Sequence, residues 1–431
     1  MPDDAKNYGV NLTRYTPGRI GAGLTDDLNG VAEEMVSENR VALDHHYGLW
    51  YDRRREDHER VRRMTGDVWP PFYGQPFARS GVGTAWDGLS KYDLTKFNPW
   101  YWSRLENFAE ICDARGLVLF NENYFQHNIL EDGAHCVDCP WRSQNNINDT
   151  GFIETPFEVE KRITMAPQFY DVTNPVRRAL HENYIRQNLN NFTNEPNVIQ
   201  FTSGEFTGPL AFEQFWLDTI GDWESETKNH PLIALAATKD VQDAILADGK
   251  RAAIVNVICF RYWWQTDRGL FAPKGGQNQS PRQFERQWKG GSPSDENLAT
   301  MAAEYRGKFP NKAIIASGED VSFHGAWVYV CAGGSMPDLP KTTDKNLLAA
   351  IPKMQPWIAD DVKKIWALRE PGKQILVYGN GGAEFDLSNE SGAFRVNVVN
   401  PKTGEVTAGG VVQAGGTIKL PDAKVVWLVQ E

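Results

Sequence analysis

Short apolar, β-branched runs recur along the chain, each followed by a polar or aromatic cluster and then by a stretch of helical periodicity. That alternation predicts βα units around a parallel sheet. Eight runs qualify as strands: 8–13, 40–44, 117–121, 198–203, 232–236, 254–260, 313–317 and 326–331. Helices are expected over 26–38, 99–115, 174–192, 212–227, 240–247, 295–309 and 347–368. In the third of these Asn174 suits the N-cap and Pro175 the first helical position, where a missing N–H costs nothing. Eight strands alternating with helices predict an α/β fold, a (β/α)8 TIM barrel, over residues 1–370.

Beyond Glu370-Pro371-Gly372 the rhythm changes. Brief runs at 374–378, 383–387, 394–399, 416–420 and 425–429 are separated by turns such as Asn400-Pro401-Lys402-Thr403-Gly404. They predict a small antiparallel β-sandwich over 371–431, an accessory that packs through its apolar strand faces.

Three inserts are long: 45–98, 122–173 and 261–294, after the second, third and sixth runs. A barrel gathers the segments after its strands on one rim, so these inserts would wall a common pocket there. A crowded rim favours a closed pocket over an open groove. The expectation is therefore a pocket that takes a chain end or a short oligomer, with a cleft open at both ends as the alternative.

The ends of the expected strands carry the candidate chemistry. Thr202-Ser203-Gly204-Glu205 follows the fourth run and Ser317-Gly318-Glu319-Asp320 the seventh. Two carboxyls on one rim are what glycosidic cleavage needs, one protonated to help the leaving oxygen depart and one ionised. Glu205 and Glu319 are thus the candidate catalytic pair. Capping of the next helix is the structural alternative for such acids.

His45, His46 and Trp50 follow the second run, Glu122 and His127 the third, Lys239 the fifth, and Arg261, Tyr262 and Trp263 end or follow the sixth. Trp327 lies in the eighth. These are the candidate substrate contacts, with Arg261 suited to an acidic sugar.

Composition sharpens the picture. The chain has 15 Trp, 14 Tyr and 21 Phe, several bunched in polar stretches such as Trp69 to Tyr73, Trp86, and Asn98 to Trp102. Exposed aromatic faces stack on sugar rings, although loops can also bury themselves through such residues. A formal charge of -11 excludes nucleic acid or an anionic membrane as the main partner. No apolar run reaches the length of a membrane span, so membrane insertion is not expected. The start, Met1-Pro2-Asp3-Asp4, is not a signal peptide.

Cofactor and metal are both expected to be absent. The glycines around 275–276 lack phosphate-loop spacing. His45 and His46 are adjacent in an extended segment, so their side chains diverge. Cys136-Val-Asp-Cys139 has metal or redox spacing but no second pair, which leaves a local disulfide or two thiols.

With Glu205 and Glu319 each following a strand, the layout resembles clan A glycoside hydrolases. That resemblance implies a (β/α)8 fold, retention of configuration, Glu205 as acid/base and Glu319 as nucleophile. Gly204 stands where that clan usually has Asn. The segments His45 to Arg55 and Arg261 to Trp264, with Ala272 to Gly276, resemble a bacterial family of largely uncharacterised glycosidase-like proteins associated with polysaccharides. The tail from Glu370 is similar to sandwiches behind some bacterial glycosidase barrels. The resemblance implies an oligosaccharide or polysaccharide substrate and a secreted or periplasmic location. A carbohydrate-binding or lyase-like barrel, and a metal-dependent hydrolase, stand as alternatives.

Overall fold

The computed structural model describes residues 28–38, 40–45, 75–85, 89–130, 139–154, 165–204, 206–261, 265–266, 269–270, 294–317, 325–360 and 362–431. The chain divides into two compact units, Met1–Val255 with Ala272–Trp288, and Asn256–Phe271 with Lys289–Glu431.

In the first unit the elements run α1 (Leu28–Ser37), β1 (Ala42–His45), β2 (Phe77–Arg79), β3 (Tyr92–Phe97), α2 (Pro99–Asp113), β4 (Val118–Glu122), α3 (Gln126–Leu130), α4 (Ala166–Phe169), α5 (Pro175–Asn191), β5 (Val198–Phe201), α6 (Leu210–Thr227), β6 (Leu232–Leu235), α7 (Lys239–Ala247) and α8 (Gly249–Ile254). Strands β1, β4, β5 and β6 lie side by side and parallel, while β2 and β3 form a separate antiparallel pair inside the first long insert. Every residue of β5 is buried, as expected of a strand covered on both faces.

Helix α5 begins where the sequence places it. The Asn174 side chain accepts from the amides of Val176 (3.0 Å) and Arg177 (3.1 Å), with Pro175 at the first helical position. Asn174→Ala should lower stability by about 1 kcal/mol, within a range of about 0.5–2. Urea denaturation measures it, and a change below about 0.3 kcal/mol would show that the cap is dispensable.

On the helix-facing side of β4 and β5 lies a buried layer of amides. Asn121 Nδ2 donates to Asn188 Oδ1 (2.9 Å) and to Gln200 Oε1 (2.8 Å), and Asn123 Nδ2 reaches the same Gln200 oxygen (2.8 Å). The Trp216 indole N–H donates to Asn123 Oδ1 (2.8 Å), and Gln200 Nε2 to the Asn188 carbonyl (3.2 Å). Burial without such partners would cost roughly 1–3 kcal/mol per group.

Among the described residues of the inserts, much of the aromatic content is core. Trp141 is fully buried and stacks on His181, with ring centroids 4.6 Å apart. Tyr124, Phe169 and Tyr184 close around it. In the bunched segment 98–102, Tyr101 and Trp102 are buried against each other and, of the three aromatics, only Trp100 is substantially exposed, at 39%. Packing, rather than a displayed stacking face, accounts for most of this segment.

In the second unit β7 (Val257–Arg261) is followed by a small hairpin, β8 (Gln265–Thr266) with β9 (Gly269–Leu270), by the helix Asp295–Lys308, and by β10 (Ala313–Ser317). Strands β7 and β10 pair in parallel, Val257 opposite Ala313 and Arg261 opposite Ser317. The described residues thus hold six parallel strands alternating with helices, an α/β barrel-like fold. The expected strand at 8–13 lies outside the described residues.

Two expectations are corrected. The run 326–331, expected as the eighth strand, is the helix Ala326–Cys331, with all six residues buried. An apolar run buried on every side has no periodicity to separate strand from helix. The long helix expected over 347–368 is a short one, Lys345–Ala350, ended by a 3-10 turn at Ile351–Lys353. After it come the strands β11 (Gln355–Asp360) and β12 (Ile365–Glu370). Pro352 and Pro356 stop the helix, since neither offers an N–H. Pro356 is tolerated in β11 because that strand lies at the sheet edge.

The C-terminal sheet adds β13 (Gln374–Tyr378), β15 (Ala393–Val399), β16 (Val406–Gln413) and β18 (Val425–Gln430), in the order β11-β12-β13-β18-β15-β16, antiparallel throughout. A second pair, β14 (Glu384–Asp386) with β17 (Thr417–Lys419), contributes Phe385 to a core shared with Ile375, Val377, Phe394 and Leu428. The Asn400 to Gly404 turn requires its glycine. Gly404 has φ +72°, and a Cβ there would stand 2.4 Å from the Thr343 Cα.

Candidate active site

Strands β4 and β5 are neighbours, with Glu122 in register with Phe201, so their C-terminal ends emerge together. The chain leaving β5 reads Thr202-Ser203-Gly204-Glu205-Phe206-Thr207. The segment leaving β4 holds it by a series of hydrogen bonds. Oε2 of the buried Glu122 carboxylate accepts from the Ser203 hydroxyl (3.0 Å) and from the Gly204 amide (2.8 Å). The backbone amides of Asn123 and Tyr124 donate to the carbonyls of Phe201 and Thr202, both at 2.9 Å.

Past position 205, Gln126 Nε2 donates to Thr207 Oγ1 (3.0 Å), while Gln126 Oε1 accepts from the Tyr170 hydroxyl (2.9 Å). The Phe206 amide donates to the Ala236 carbonyl at the end of β6 (3.2 Å). Gly208 is hemmed in as well, since a Cβ there would fall 2.5 Å from the Phe206 ring and 3.1 Å from that of Tyr170.

Beneath this loop, in the first turn of α6, sits Glu213. It is fully buried, with Thr202 Oγ1 3.5 Å from its Oε1 and no hydrogen-bond partner for Oε2 among the described residues. Burial, only partly offset by Thr202, raises its pKa to about 8. The folded protein therefore holds this proton between the ordinary carboxyl value and about pH 8, where the unfolded chain has lost it. The stability it gives is full below about pH 4.5 and falls as pH rises through the folded pKa. Glu213→Gln should remove that decline, so the variant should melt above the wild type at pH 9 and lose the advantage at pH 5. Parallel melting curves across this range would contradict the assignment.

The other expected site residues are placed as follows. Glu205, Glu319, His46, Trp50, Tyr262 and Trp263 lie outside the described residues, as does Cys136. His127 falls within α3, and Arg261 ends β7. His45 ends β1 with its ring buried and Nε2 3.1 Å from the Tyr101 hydroxyl. Burial lowers its pKa to about 3, so the ring is neutral at ordinary pH. Lys239 opens α7 and pairs with Asp243 across one turn at 2.7 Å. Trp327 is wholly buried in its helix, and its indole N–H donates to the Pro401 carbonyl (2.9 Å), which leaves no ring face open to a ligand. Among the described residues no group of three or more His, Cys, Asp or Glu is placed to hold a metal.

Of the expected residues, Glu122 and the flank of Glu205 are thus brought together. The sequence reading missed Gln126, Ser203, Thr207, Tyr170 and Glu213. The signal for the first was present in Asn121-Glu122-Asn123-Tyr124-Phe125-Gln126, a run of carboxyl and amide side chains directly after an apolar strand.

A family profile described as Domain of unknown function (DUF6298) matches residues 1–354. The chain belongs to this family. No curated protein matches the DUF6298 chain. Solved structures do. A glycoside hydrolase aligns over 94% of this chain and 89% of its own, with a TM-score of 0.50 at 12% identity. A glycoside hydrolase family 5 protein from Bacteroides vulgatus ATCC 8482 aligns over 94% and 86%, with a TM-score of 0.51 at 11% identity. At such identity the likeness is one of fold, and the DUF6298 chain has an α/β barrel-like fold similar to that of these two structures. None of its described helices is long and apolar enough to cross a membrane.

Proposed function

We propose that the chain is a retaining glycoside hydrolase in which Glu205 is the acid/base and Glu319 the nucleophile. The observation that carries this reading is the fastening of both flanks of position 205 at the end of β5. An acid catalyst must be held within a fraction of an ångström of its working position, and a loop tied on both sides meets that demand. The fold likeness to glycoside hydrolases supports the same reading, and Glu319 follows β10 by two residues.

In the proposed reaction Glu319 attacks the anomeric carbon while Glu205 gives its proton to the departing glycosidic oxygen. Water then enters, loses a proton to Glu205, and releases the sugar from Glu319 with its configuration retained. The substrate is an oligosaccharide derived from a plant or microbial polysaccharide, attacked from its end. Arg261, at the tip of β7, favours an acidic unit.

A panel of oligosaccharides, read by product chromatography and by NMR of the first anomer formed, tests this. Mono- or disaccharide release with retention is the expected result. An unsaturated, ultraviolet-absorbing product would assign a lyase instead, and binding without turnover would remove the enzymatic reading.

A further inference from the structure

We propose that Glu122 and Gln126 are positioning residues, a two-sided clamp on the described segments that flank position 205, and that neither is a sugar ligand. The proposal rests on the reading of Glu205 as acid/base and says how that group is aimed.

Both anchors come from a single five-residue stretch at the end of β4. Glu122 takes the two donors immediately before position 205, the Ser203 hydroxyl and the Gly204 amide, on one oxygen, Oε2. Gln126 takes the first side chain beyond Phe206, the Thr207 hydroxyl, and its own carbonyl oxygen is held by the Tyr170 hydroxyl. Between them the Tyr124 amide fixes the Thr202 carbonyl. The stretch is itself braced from behind, since Asn123 is held by Gln200 and Trp216.

Glu122 and Gln126 are 7% and 3% exposed, so little of either surface is left for a ligand. A buried carboxylate that gathers a hydroxyl and a backbone N–H makes charge-assisted bonds, which are stronger than neutral ones.

The arrangement makes an unusual demand on substitutions. Both loop donors land on the same Glu122 oxygen, so Glu122→Gln can present its amide oxygen to both and keep the clamp. Glu122→Ala removes it. A sugar ligand or a proton-transfer group would show the opposite sensitivity, with loss already in the Gln variant.

The test uses the full chain and two readouts. The first is hydrogen exchange of peptides spanning 202–207, which requires no substrate. Glu122→Ala and Gln126→Ala should each speed exchange there by about tenfold or more while the C-terminal sheet exchanges as in the wild type. Glu122→Gln should stay within about threefold of the wild type. The second readout is kinetics on the best substrate of the panel. Glu122→Ala should lower kcat by about 10²-fold, the effect of an ångström-scale misplacement, with KM within about twofold. Glu122→Gln should recover most of the loss.

Unchanged exchange in both alanine variants overturns the clamp whatever the activity. Loss of kcat in Glu122→Gln with the loop still protected also overturns it, because the charge would then act on substrate. Should Glu122→Ala fail to fold, Gln126→Ala and Glu122→Gln still decide. If the wild type hydrolyses nothing, the proposed activity fails while the exchange measurements still judge the clamp.

Discussion

Glu205→Gln should lower kcat on a natural oligosaccharide by about 10²–10⁴-fold, the usual contribution of a general acid. The amide matches the carboxyl in shape, so melting should be unchanged and the loss should be chemical in origin. The size of the loss should depend on the leaving group. An aryl glycoside whose phenolate departs without a proton needs no acid in the first step, so its glycosylation should be spared relative to the natural substrate. Comparing kcat/KM for the two substrates in both proteins measures the difference. Equal losses on both would remove Glu205 from the acid role, and full activity on the natural substrate would remove it from the site.

The other large effect concerns stability. Trp141 lies in the insert after β4, in the described stretch 139–154, yet it is fully buried among Phe77, Tyr124, Phe169, His181 and Tyr184. Its stretch is shaped from within. Asn146 Nδ2 donates to the carbonyls of Pro140 (3.1 Å), Trp141 (3.1 Å) and Arg142 (2.8 Å). Trp141→Ala should cost about 3–5 kcal/mol, the lost burial plus a cavity that a ring of aromatics cannot close. Urea denaturation with a two-state fit measures it. A cost below about 1 kcal/mol would mean that the insert is an appendage and not part of the core.

The parallel strands were legible because their apolar runs are short and bounded by turns. Expected and observed bounds differ by three residues or fewer at 40–44, 117–121, 198–203, 232–236, 254–260 and 313–317. Asn174-Pro175 marked its helix start through a local rule that tertiary context did not override. Failure came where pattern carries no information. Ala326 to Cys331 is apolar at every position and serves a buried helix as well as a strand. At 347–368 the two prolines outweighed a helical rhythm, and the β11–β12 pair took its place.

For the site, the polar character of the β4 and β5 ends could be read directly. The pairing of Glu122 with the Ser203–Gly204 flank could not, because it depends on which strands are neighbours and in what register. Nothing in sequence spacing marks Glu213 as buried, since a first-turn acid ordinarily faces solvent and the helix N-terminus.

The amide layer behind β4 and β5 bears on how the sheet assembles. Strands covered on both faces are greasy throughout, and hydrophobicity alone would let β5 slide along β4 by two residues with little penalty. Asn121, Asn123, Asn188 and Gln200 act as a key cut for one alignment. Any slip pulls Gln200 away from Asn121 on β4 and Asn123 just beyond it, and strands several amides in a dry interior, at roughly 1–3 kcal/mol each. The chain therefore carries, in the buried amides of these neighbouring strands and the helix behind them, its own check against being zipped up one notch wrong.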